Sequence, residues 1–511
     1  MAKKNTPPSL QQPPLPAADP SWKSRLEPTS EGYYRLCDEA TGGVEVRFFL
    51  TPSLLAETEE VLYKQVINAT RFPGVRLVAI TPDTHYGYGV PVGCVILTDA
   101  EAGAVAMGPV GFDIGCGMMS AQSDVPAEAA THDRRLAFNR AVMERVEMGT
   151  GGHSRALGAL SKRTFEALVR GGAEHYAEKY GGAVDRSRAE RHRLPVDDAW
   201  QVPWGGKGKP ERGLDQLGTL GGGNHFIELQ RSEQTNTLFV QVHTGSRGFG
   251  HGLATNYFER AREERGGELR DIDLGYFTPD SPHYADYLNA VAAGGNFAII
   301  NRLVIFEQIA AAFRKVFGRD LELVYEISHN LVQREWHPDY GEVFVHRKGA
   351  TRAFPAGHPG LAGTPWETTG HPVLIPGSNR DYSYILRPRP GAVKSGYSVN
   401  HGAGRRMSRG EAVRRLSQDK VNEQYREAGI VVNDEGDDVP LDESAACYKP
   451  AEDVIAAVVG AGLAAIEHRL EPLSSLKGVE GPSRAQRKDR KARERGRDLE
   501  RGGARKTKAH Y

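Results

Sequence analysis

Apolar runs with the composition of β-strands repeatedly give way to short loops rich in glycine, histidine and aspartate. VRLVAI is followed by TPDTHYGYG, AVAMGPV by GFDIGCGMM, LFVQV by HTGSRGFGH, and LELVYEIS by HN. HPVLIPGS followed by YSYIL has the pattern of two strands joined by a turn. This repetition predicts a mixed fold of helices and strands in which the polar loops lie at strand ends.

Helices are predicted where apolar residues recur at three- and four-residue spacing. The segments with this pattern are 132–146, 298–317 and 451–470. A further helix is predicted after SVNHGAGRRMSR, because Ser408 and Glu411 match a capping box and the helical pattern continues to Gly429. The loop HGAGR is therefore expected beside a helix N-terminus, where free N–H groups favour an anion.

The length of the chain, 511 residues, suggests by itself two to four domains. Its formal net charge is zero, so composition implies no global electrostatic partner. The distribution is uneven, since twelve lysines and arginines stand against four acidic residues from Arg484 to the end, a net +8. The first twenty or so residues are rich in proline and are expected to be disordered.

The cysteines and the N-terminal sequence indicate the cellular compartment of the protein. Cys37, Cys94, Cys116 and Cys447 show no short-range pairing, and the N-terminus lacks the apolar segment of a secretory signal. The longest apolar run, VIAAVVGAGLAAI, is too short and too interrupted to span a bilayer. These features predict a cytoplasmic protein with free thiols and no membrane association.

Five potential metal ligands are distributed over the strand-end loops. They are Asp113, Cys116, His225, His243 and His329. Each alone is typical of a core cysteine or a hydrogen-bonded histidine, and no zinc motif with short spacing is present. Carboxylate, thiolate and imidazole together are the usual ligands of a borderline divalent metal. Their repetition beside glycines therefore predicts a shared site, which is binuclear if the thiolate bridges two ions.

Several loops also combine glycines, hydroxyls and cations. GTLGGGNH, PGSNRDYS, HRKGATRAFP and HGAGRRMSR have this composition, although none matches a P-loop or a dinucleotide-binding motif. One such loop is usually a solvated turn. Four of them in one chain favour a polyphosphate or nucleic-acid ligand. The histidine of the last loop, His401, could be a phosphate contact, a metal ligand or a nucleophile.

Six motifs, in this order, carry a family resemblance: GFDIGCGM, GTLGGGNHF, HTGSRGFGH, HRKGATRAFP, VLIPGS and HGAGRRMSR. The chain resembles the RtcB-type RNA-splicing ligases from about residue 27 to Lys477. The resemblance implies a single α+β catalytic domain over residues 27–478, with mixed sheets and flanking helices. A Pro-rich disordered N-terminus (1–26) and a basic, disordered C-terminal tail (479–511) would lie outside it.

The resemblance also implies a reaction. Enzymes of this family join RNA ends bearing a 2′,3′-cyclic phosphate or 3′-phosphate to a 5′-hydroxyl, in tRNA splicing or RNA repair. They use GTP and two Mn²⁺ ions, and proceed through a histidine–GMP intermediate and a guanylylated RNA 3′-phosphate. The expected partners are RNA, GTP and an archease-like activator.

The resemblance further implies roles for individual residues, because positions of this sequence match the motifs of the family. His401 would be the nucleophile, and a histidine suits this role because it is already largely neutral at cellular pH, unlike a lysine. Asp113, Cys116, His225, His243 and His329 would hold the metals, with Cys116 bridging. GTP contacts are implied for Asn224, Glu228, Asn330, Ser378, Ser383, Gly402, Ala403, Gly404, Tyr448 and Lys477. RNA contacts are implied for Asp83, Arg212, Arg247, Arg405 and Arg409.

One loop departs from the family pattern. Asn379, Arg380 and Asp381 follow PGS where the family usually has a Met-Gly-Thr-like stretch, which puts the nucleotide contacts of this loop in question. Three other functions are weighed against ligation. They are a related metal-dependent nucleotidyltransferase that acts on other 3′-phosphate ends, such as DNA capping without ligation, a non-catalytic RNA-end-binding protein, and a cysteine hydrolase that uses Cys116.

Overall fold

The structure is a computed structural model that describes residues 19–181, 194–266, 269 and 271–478. Its α-helices are α1 (Pro52–Glu57), α2 (Leu62–Ala69), α3 (His132–Met143), α4 (Lys162–Tyr180), α5 (Arg247–Arg265), α6 (Tyr284–Phe317), α7 (Arg409–Arg415), α8 (Gln418–Glu427) and α9 (Ala451–Gly460). Its strands are β1 (Leu26–Pro28), β2 (Tyr34–Leu36), β3 (Glu45–Phe48), β4 (Val75–His85), β5 (Val92–Asp99), β6 (Val105–Ala106), β7 (Gly117–Pro126), β8 (Glu147–Met148), β9 (Thr219–Gly221), β10 (Phe226–Ser232), β11 (Thr237–Thr244), β12 (Tyr276–Phe277), β13 (Glu322–Ser328), β14 (Asn330–His337), β15 (Gly341–Lys348), β16 (Ala350–Arg352), β17 (Val373–Ile375), β18 (Ser383–Pro388), β19 (Ser398–Asn400), β20 (Val431–Val432) and β21 (Ala464–Lys477).

Two large mixed sheets form the frame of the molecule. Sheet one has the strand order β1-β2-β3-β4-β5-β15-β14, and sheet two has the order β13-β7-β11-β10-β21-β18-β17 with β20 paired to β21. Most neighbours are antiparallel, and β3–β4 and β20–β21 are parallel. Strand β13 of sheet two ends at Ser328 and β14 of sheet one begins at Asn330, so His329 lies where the two sheets join.

Helix α6 is the central helix of the larger core. It packs against α3, α4 and α5 and against β7, β11 and β13 of sheet two. Among the described helices, it alone is long and apolar enough to cross a membrane. Its most apolar stretch is 83% buried inside the fold. Its residues Asn301 and Arg302 are polar and fully buried in this apolar setting, and both contact the loops of the site described below.

The predicted α+β fold with mixed sheets and flanking helices is confirmed. The predicted strands around VLIPGS form the antiparallel pair β17–β18. The N-cap at Ser408 is also confirmed, because its side chain accepts a hydrogen bond from the Glu411 amide at 3.3 Å. The helix that follows is interrupted between Arg415 and Gln418, which separates α7 from α8.

The prediction of one helix over residues 451–470 is wrong in its second half. Helix α9 ends at Gly460, and Gly462 adopts a left-handed φ of +68°, which glycine favours at a helix C-terminus. The chain then enters β21, which pairs with both β10 and β18. The apolar residues of this segment therefore belong to a central strand of sheet two and not to the apolar face of a helix.

Folded structure begins before residue 27, the boundary predicted from the sequence. Trp22 is fully buried and contacts the rings of Phe48 and Tyr63, and Leu26 opens strand β1. Burial of a tryptophan ties this segment to the core of sheet one. The remainder of the predicted disordered N-terminus, residues 1–18, and the predicted basic tail from residue 479 lie outside the described residues.

Candidate metal and nucleotide site

Four adjacent strands of sheet two bring the predicted metal ligands to one edge. Cys116 immediately precedes β7, His225 precedes β10, His243 lies near the end of β11, and His329 follows β13. In the antiparallel pairing His243 is opposite both Met118 and Phe226. The strand-end positions read from the sequence therefore converge because neighbouring strands start and stop at the same edge.

The ligand atoms lie within a few ångströms of one another. The Sγ atom of Cys116 is 3.3 Å from Nε2 of His243 and 3.6 Å from Nε2 of His225. The Nε2 atom of His225 is 3.1 Å from Oδ2 of Asp113, and the Nε2 atoms of His243 and His329 are 3.2 Å apart. The atoms form two groups, Cys116–His243–His329 and Asp113–Cys116–His225, each within 4.8 Å. The sulfur belongs to both groups.

The proton positions on these rings fit a bound cation. Nδ1 of His225 lies 3.0 Å from the carbonyl oxygen of Leu220, and Nδ1 of His243 lies 3.2 Å from that of Asn224. A carbonyl only accepts, so both Nδ1 atoms donate and both Nε2 atoms present lone pairs. Two lone pairs, a carboxylate and a sulfur thus face one another, and a divalent metal relieves their repulsion. Carbonyl-supported imidazoles of this kind are typical metal ligands.

Burial determines the ionisation of the cluster. It lowers the pKa of His243 and of His329 well below the ordinary histidine value, which keeps both imidazoles neutral. Burial also raises the pKa of Asp113, but the neighbouring His225 and the charge of Arg247 outweigh it and leave this pKa below its usual value. Burial and the Asp113 charge raise the pKa of the Cys116 thiol well above 9.0. Cys116 is therefore no activated free nucleophile, which disfavours a cysteine hydrolase.

Arg302 of helix α6 holds the backbone that carries these ligands, a role that the sequence reasoning missed. Its Nη1 atom donates to the carbonyl of Gly115 at 2.9 Å and to that of Thr244 at 2.7 Å, the neighbours of Cys116 and His243. Its Nε atom donates to Glu326 at 2.5 Å. The signal in the sequence is a lone Asn-Arg pair inside the apolar run AIINRLVIF.

His401 lies beside the metal cluster and is oriented by Asp83. Nδ1 of His401 is 2.6 Å from Oδ2 of Asp83, which also accepts from the backbone amide of His401 at 3.0 Å. The rings of His401 and His329 meet edge to face with centroids 4.9 Å apart. Gly404, with a φ of +77°, lets this loop approach the backbone of Asp83, since a Cβ there would lie 2.0 Å from its carbonyl oxygen.

The carboxylate of Asp83 is fully buried. Burial raises its pKa, but the contacts with His401, including the hydrogen bonds from its ring and its backbone amide, outweigh this and lower it. The side chain of Asp83 is enclosed behind His401. Asp83 can therefore orient the ring of that histidine through their hydrogen bond. This position differs from the RNA contact predicted for it, since a buried carboxylate is not available to an RNA backbone.

One cavity of about 430 Å³ connects the cluster with His401. Most of the residues predicted to bind metal, GTP or RNA line it. Those in its wall are Asp113, Cys116, Asn224, Glu228, His243, His329, Asn330, Ser378, His401, Gly402, Ala403, Gly404, Arg405, Arg409, Tyr448 and Lys477. The chain thus brings residues from Asp113 to Lys477 into one ligand-sized space.

Two buried carboxylates of the cavity have opposite protonation behaviour. Burial raises the pKa of Glu228 to about 8, so this acid is by itself mostly neutral at pH 7. Burial also raises the pKa of Glu443, but Lys477 and Arg409 outweigh it and bring the value to about 2. Glu443 was missed in the sequence, since it lies in no glycine-rich motif.

Glu443 organises several of the predicted ligand-binding side chains. Its carboxylate is 2.9 Å from Nζ of Lys477 and 2.6 Å from the hydroxyl of Tyr448. It is also 2.8 Å from Nη2 of Arg409 and 3.4 Å from Nη1 of Arg405. A permanently ionised carboxylate therefore holds two predicted GTP contacts and two predicted RNA contacts in one network.

The loop that departs from the family pattern has partners of its own. The Asn379 side chain accepts a hydrogen bond from the hydroxyl of Tyr425 on α8. Ser378 donates to Asp381 at 2.8 Å, and Arg380 donates to Gln424 of the same helix at 3.2 Å. The loop is thus anchored by α8, with Ser378 and Asn379 in the cavity wall.

Five predicted site residues are not part of the cavity wall: Asp83 and His225, which are described above, and Ser383, Arg247 and Arg212. Ser383 is buried and accepts a hydrogen bond from the Gly377 amide at 3.1 Å, which braces the PGS turn. Arg247 donates to Thr219 at 3.1 Å and to the carbonyl of Gly149 at 3.2 Å. Arg212 is exposed on a 3₁₀ turn, Pro210–Asp215.

The fold and site together define a mixed α+β protein with a cluster of potential metal ligands beside a cavity that cationic side chains line. A sequence model described as tRNA-splicing ligase RtcB matches residues 65–478. A tRNA-splicing ligase RtcB of Pyrobaculum aerophilum is 35% identical over 468 residues, which cover 85% of this chain and 95% of that protein. An RNA-splicing ligase RtcB of Mycobacterium tuberculosis is 35% identical over 443 residues, covering 81% of this chain and 100% of that protein.

A third relative, a tRNA-splicing ligase RtcB of Nanoarchaeum equitans, is 32% identical over 481 residues, with 89% of this chain and 99% of the relative covered. These matches extend over nearly the whole of each relative. The chain belongs to the tRNA-splicing ligase RtcB family of RNA ligases.

Proposed function

We propose that this protein is a GTP- and Mn²⁺-dependent ligase that joins RNA ends bearing a 2′,3′-cyclic phosphate or 3′-phosphate to a 5′-hydroxyl. The observation that carries this proposal is the geometry of His401. Its Nδ1 is held by Asp83 at 2.6 Å, and its ring lines the cavity that also contains the Cys/His/Asp cluster. A nitrogen nucleophile beside a polyanion-neutralising site suits guanylate transfer.

The Asp83 hydrogen bond assigns the two ring nitrogens of His401. A carboxylate accepts, so Nδ1 carries the proton and Nε2 keeps the lone pair needed for attack on the α-phosphate of GTP. Attack forms the bond between Nε2 and phosphorus and releases pyrophosphate. An end that carries a 2′,3′-cyclic phosphate would first be opened by water to a 3′-phosphate. The guanylate then moves to the RNA 3′-phosphate, His401 is regenerated, and the 5′-hydroxyl attacks the phosphorus of the RNA 3′-phosphate and displaces GMP.

Asp113, Cys116, His225, His243 and His329 would hold the metal ions, with Cys116 common to both groups of ligands. Two Mn²⁺ ions would supply charge neutralisation for the phosphates and the leaving pyrophosphate. The residues around the cluster have a separate task. The carbonyls of Leu220 and Asn224 orient two imidazoles, and Arg302 holds the loops that carry Cys116 and His243.

Guanine would be recognised on the β10 and β21 side of the cavity. The side chain of Glu228 accepts from two donors of the guanine edge only when it is ionised, a pattern that adenine does not offer. Tyr448 and Lys477 would complete the base site, held by Glu443. Asn224, Asn330, Ser378 and the backbone of 402–404 would contact the phosphates.

Arg405 and Arg409 line the same cavity and would bind the RNA phosphates beside the reacting ends. Arg212 and Arg247 would act further from the cavity. We propose tRNA splicing or RNA repair in the cytoplasm as the setting, with an archease-like protein as an activator.

The test uses two oligoribonucleotides, one with a 3′-phosphate or 2′,3′-cyclic phosphate and one with a 5′-hydroxyl, incubated with the protein, GTP and Mn²⁺. We expect a joined product that requires GTP rather than ATP and is abolished by a chelator. A parallel reaction with matched DNA ends separates ligation from 3′-end capping. Capped ends without joined RNA would contradict the proposal, and so would RNA binding without either product.

A further inference from the structure

Two tyrosines of the loop between β4 and β5 are exposed to solvent beside the cavity. Tyr86 and Tyr88 are 56% and 68% exposed, the largest exposures among the exposed aromatic side chains of the described residues. Tyr88 also lines the wall of the cavity that contains His401. Exposed aromatic rings that border a ligand-sized cavity are candidates for contact with a ligand.

The backbone under these rings is unusually well anchored. The side chains of Gln65 and Asn68 donate to the carbonyls of Gly87 and Gly89, and Gln65 also accepts from the Gly87 amide at 3.0 Å. Lys348, which is buried, donates to the carbonyl of Tyr88 at 2.6 Å and to that of Val90 at 3.1 Å. The loop is therefore rigid at its backbone, while its aromatic rings are free to meet a ligand.

The Tyr88 ring continues into an aromatic wall of the cavity. It meets Phe112 edge to face at 6.4 Å and 89°. Phe112 stacks on His251 at 5.3 Å and on Phe258 at 4.8 Å. Phe112 directly precedes Asp113 of the metal cluster, so this wall borders the place where a reacting phosphate would lie.

We propose that Tyr88 is a stacking platform for an unpaired RNA base next to the end that is joined. This inference rests on the proposed function, because it assigns the ligand of the ring from the RNA substrate. The guanine of GTP has its own donors and acceptors at Glu228 and Lys477 on sheet two, whereas Tyr88 is on a loop of sheet one. Stacking on an anchored aromatic ring binds any base, because every base offers a π-face.

The experiment measures the affinity of fluorescent oligoribonucleotides by anisotropy, without GTP. One strand ends in a 3′-phosphate and the other in a 5′-hydroxyl, and each is made with a normal or an abasic terminal nucleotide. Tyr88→Ala is compared with Tyr88→Phe, which keeps the ring. Trp336→Ala is the matched control, since Trp336 is 45% exposed and lies outside the cavity wall.

We expect Tyr88→Ala to raise the Kd of one strand about tenfold, the effect of losing one stacked base. Tyr88→Phe and Trp336→Ala should bind as the parent does. On the abasic form of the affected strand, Tyr88→Ala should cause no further loss, because the base that it contacts is already missing. Thermal melting checks that the variant is folded, and its backbone anchors do not involve the ring.

Unchanged affinity of Tyr88→Ala for both strands would overturn the inference and leave the ring to another partner, such as a protein. An equal loss on normal and abasic RNA would overturn it as well. These outcomes are separate from the fate of the proposed function. A parent protein that shows the Tyr88-dependent binding but joins no RNA would refute the ligase and keep the platform.

Discussion

The hydrogen bond between Nδ1 of His401 and Oδ2 of Asp83, 2.6 Å long, joins residues 318 positions apart in the chain. It is supported from behind by Thr81, whose hydroxyl donates to the other oxygen of Asp83 at 2.5 Å. The acceptor character of the carboxylate fixes the tautomer of the ring and leaves Nε2 available to the cavity. The proposed nucleophile is therefore already oriented by the fold itself.

Asp83→Asn tests this relationship. The amide can donate to Nδ1 and favours the tautomer with the proton on Nε2, which is not nucleophilic. We expect the rate of histidine guanylylation to fall about 10²- to 10⁴-fold, as for other catalytic histidines that lose their orienting carboxylate, with the affinity for GTP little changed. Single-turnover labelling with GTP gives the rate and equilibrium binding gives the affinity. A variant that forms the adduct at the parent rate would remove Asp83 from the mechanism.

A pH dependence of guanine binding follows from Glu228. Its pKa is raised to about 8, and recognition of the guanine edge requires the ionised form, so binding releases a proton below that pH. Affinity should rise between pH 6 and pH 8, by up to tenfold per pH unit, and level off above. Guanosine, which carries no titrating phosphate, is the suitable ligand. Glu228→Gln should bind weakly with no pH dependence, and a parent profile that is flat or falls with pH would contradict this.

Metal binding should depend on Cys116 and not on another buried cysteine. Cys116→Ala removes the atom shared by both ligand groups. We expect the manganese stoichiometry to fall below two and the stabilisation of the fold by Mn²⁺ to shrink. Cys94→Ala is the control, because Cys94 is an equally buried free thiol in the core of sheet one. Full manganese content in Cys116→Ala, by elemental analysis and calorimetric titration, would leave Cys116 as a core residue.

Much of the fold and the site could be predicted from local patterns. The polar residues at strand termini, such as Cys116 and His329, do converge, because adjacent antiparallel strands begin and end at the same edge. The cap at Ser408 needs only residues three positions apart. The family resemblance supplied the wider assignments.

The rest depends on contacts between distant segments. Arg302 was not predicted, since its role comes from carbonyls 187 and 58 residues away. Glu443 is 34 residues from Lys477 and in no recognisable motif. Residues 464–470 were mistaken for helix because their strand character comes from the pairing of β21 with β10 and β18 and is not visible in their own apolar pattern.

The positioning role of Arg302 can be separated from its part in stability. Arg302→Met leaves Glu326 buried without this arginine, and the free energy of unfolding should fall by about 3–5 kcal/mol. The double variant Arg302→Met/Glu326→Leu should recover most of that loss. It still lacks the donors to the carbonyls of Gly115 and Thr244, so its metal affinity should remain reduced. A stable double variant with the metal affinity of the parent would limit Arg302 to a structural role.

The central claim is that His401 is the residue that receives guanylate. The direct measurement is incubation of the full chain with GTP and Mn²⁺, followed by mass mapping of the covalent adduct. We expect one GMP on His401, absent in His401→Ala and retained in His153→Ala, a control histidine whose side chain is 78% exposed. An adduct on another residue such as His85 or Cys116, an adduct of full yield in His401→Ala, or no adduct in the metal-loaded parent would contradict the account.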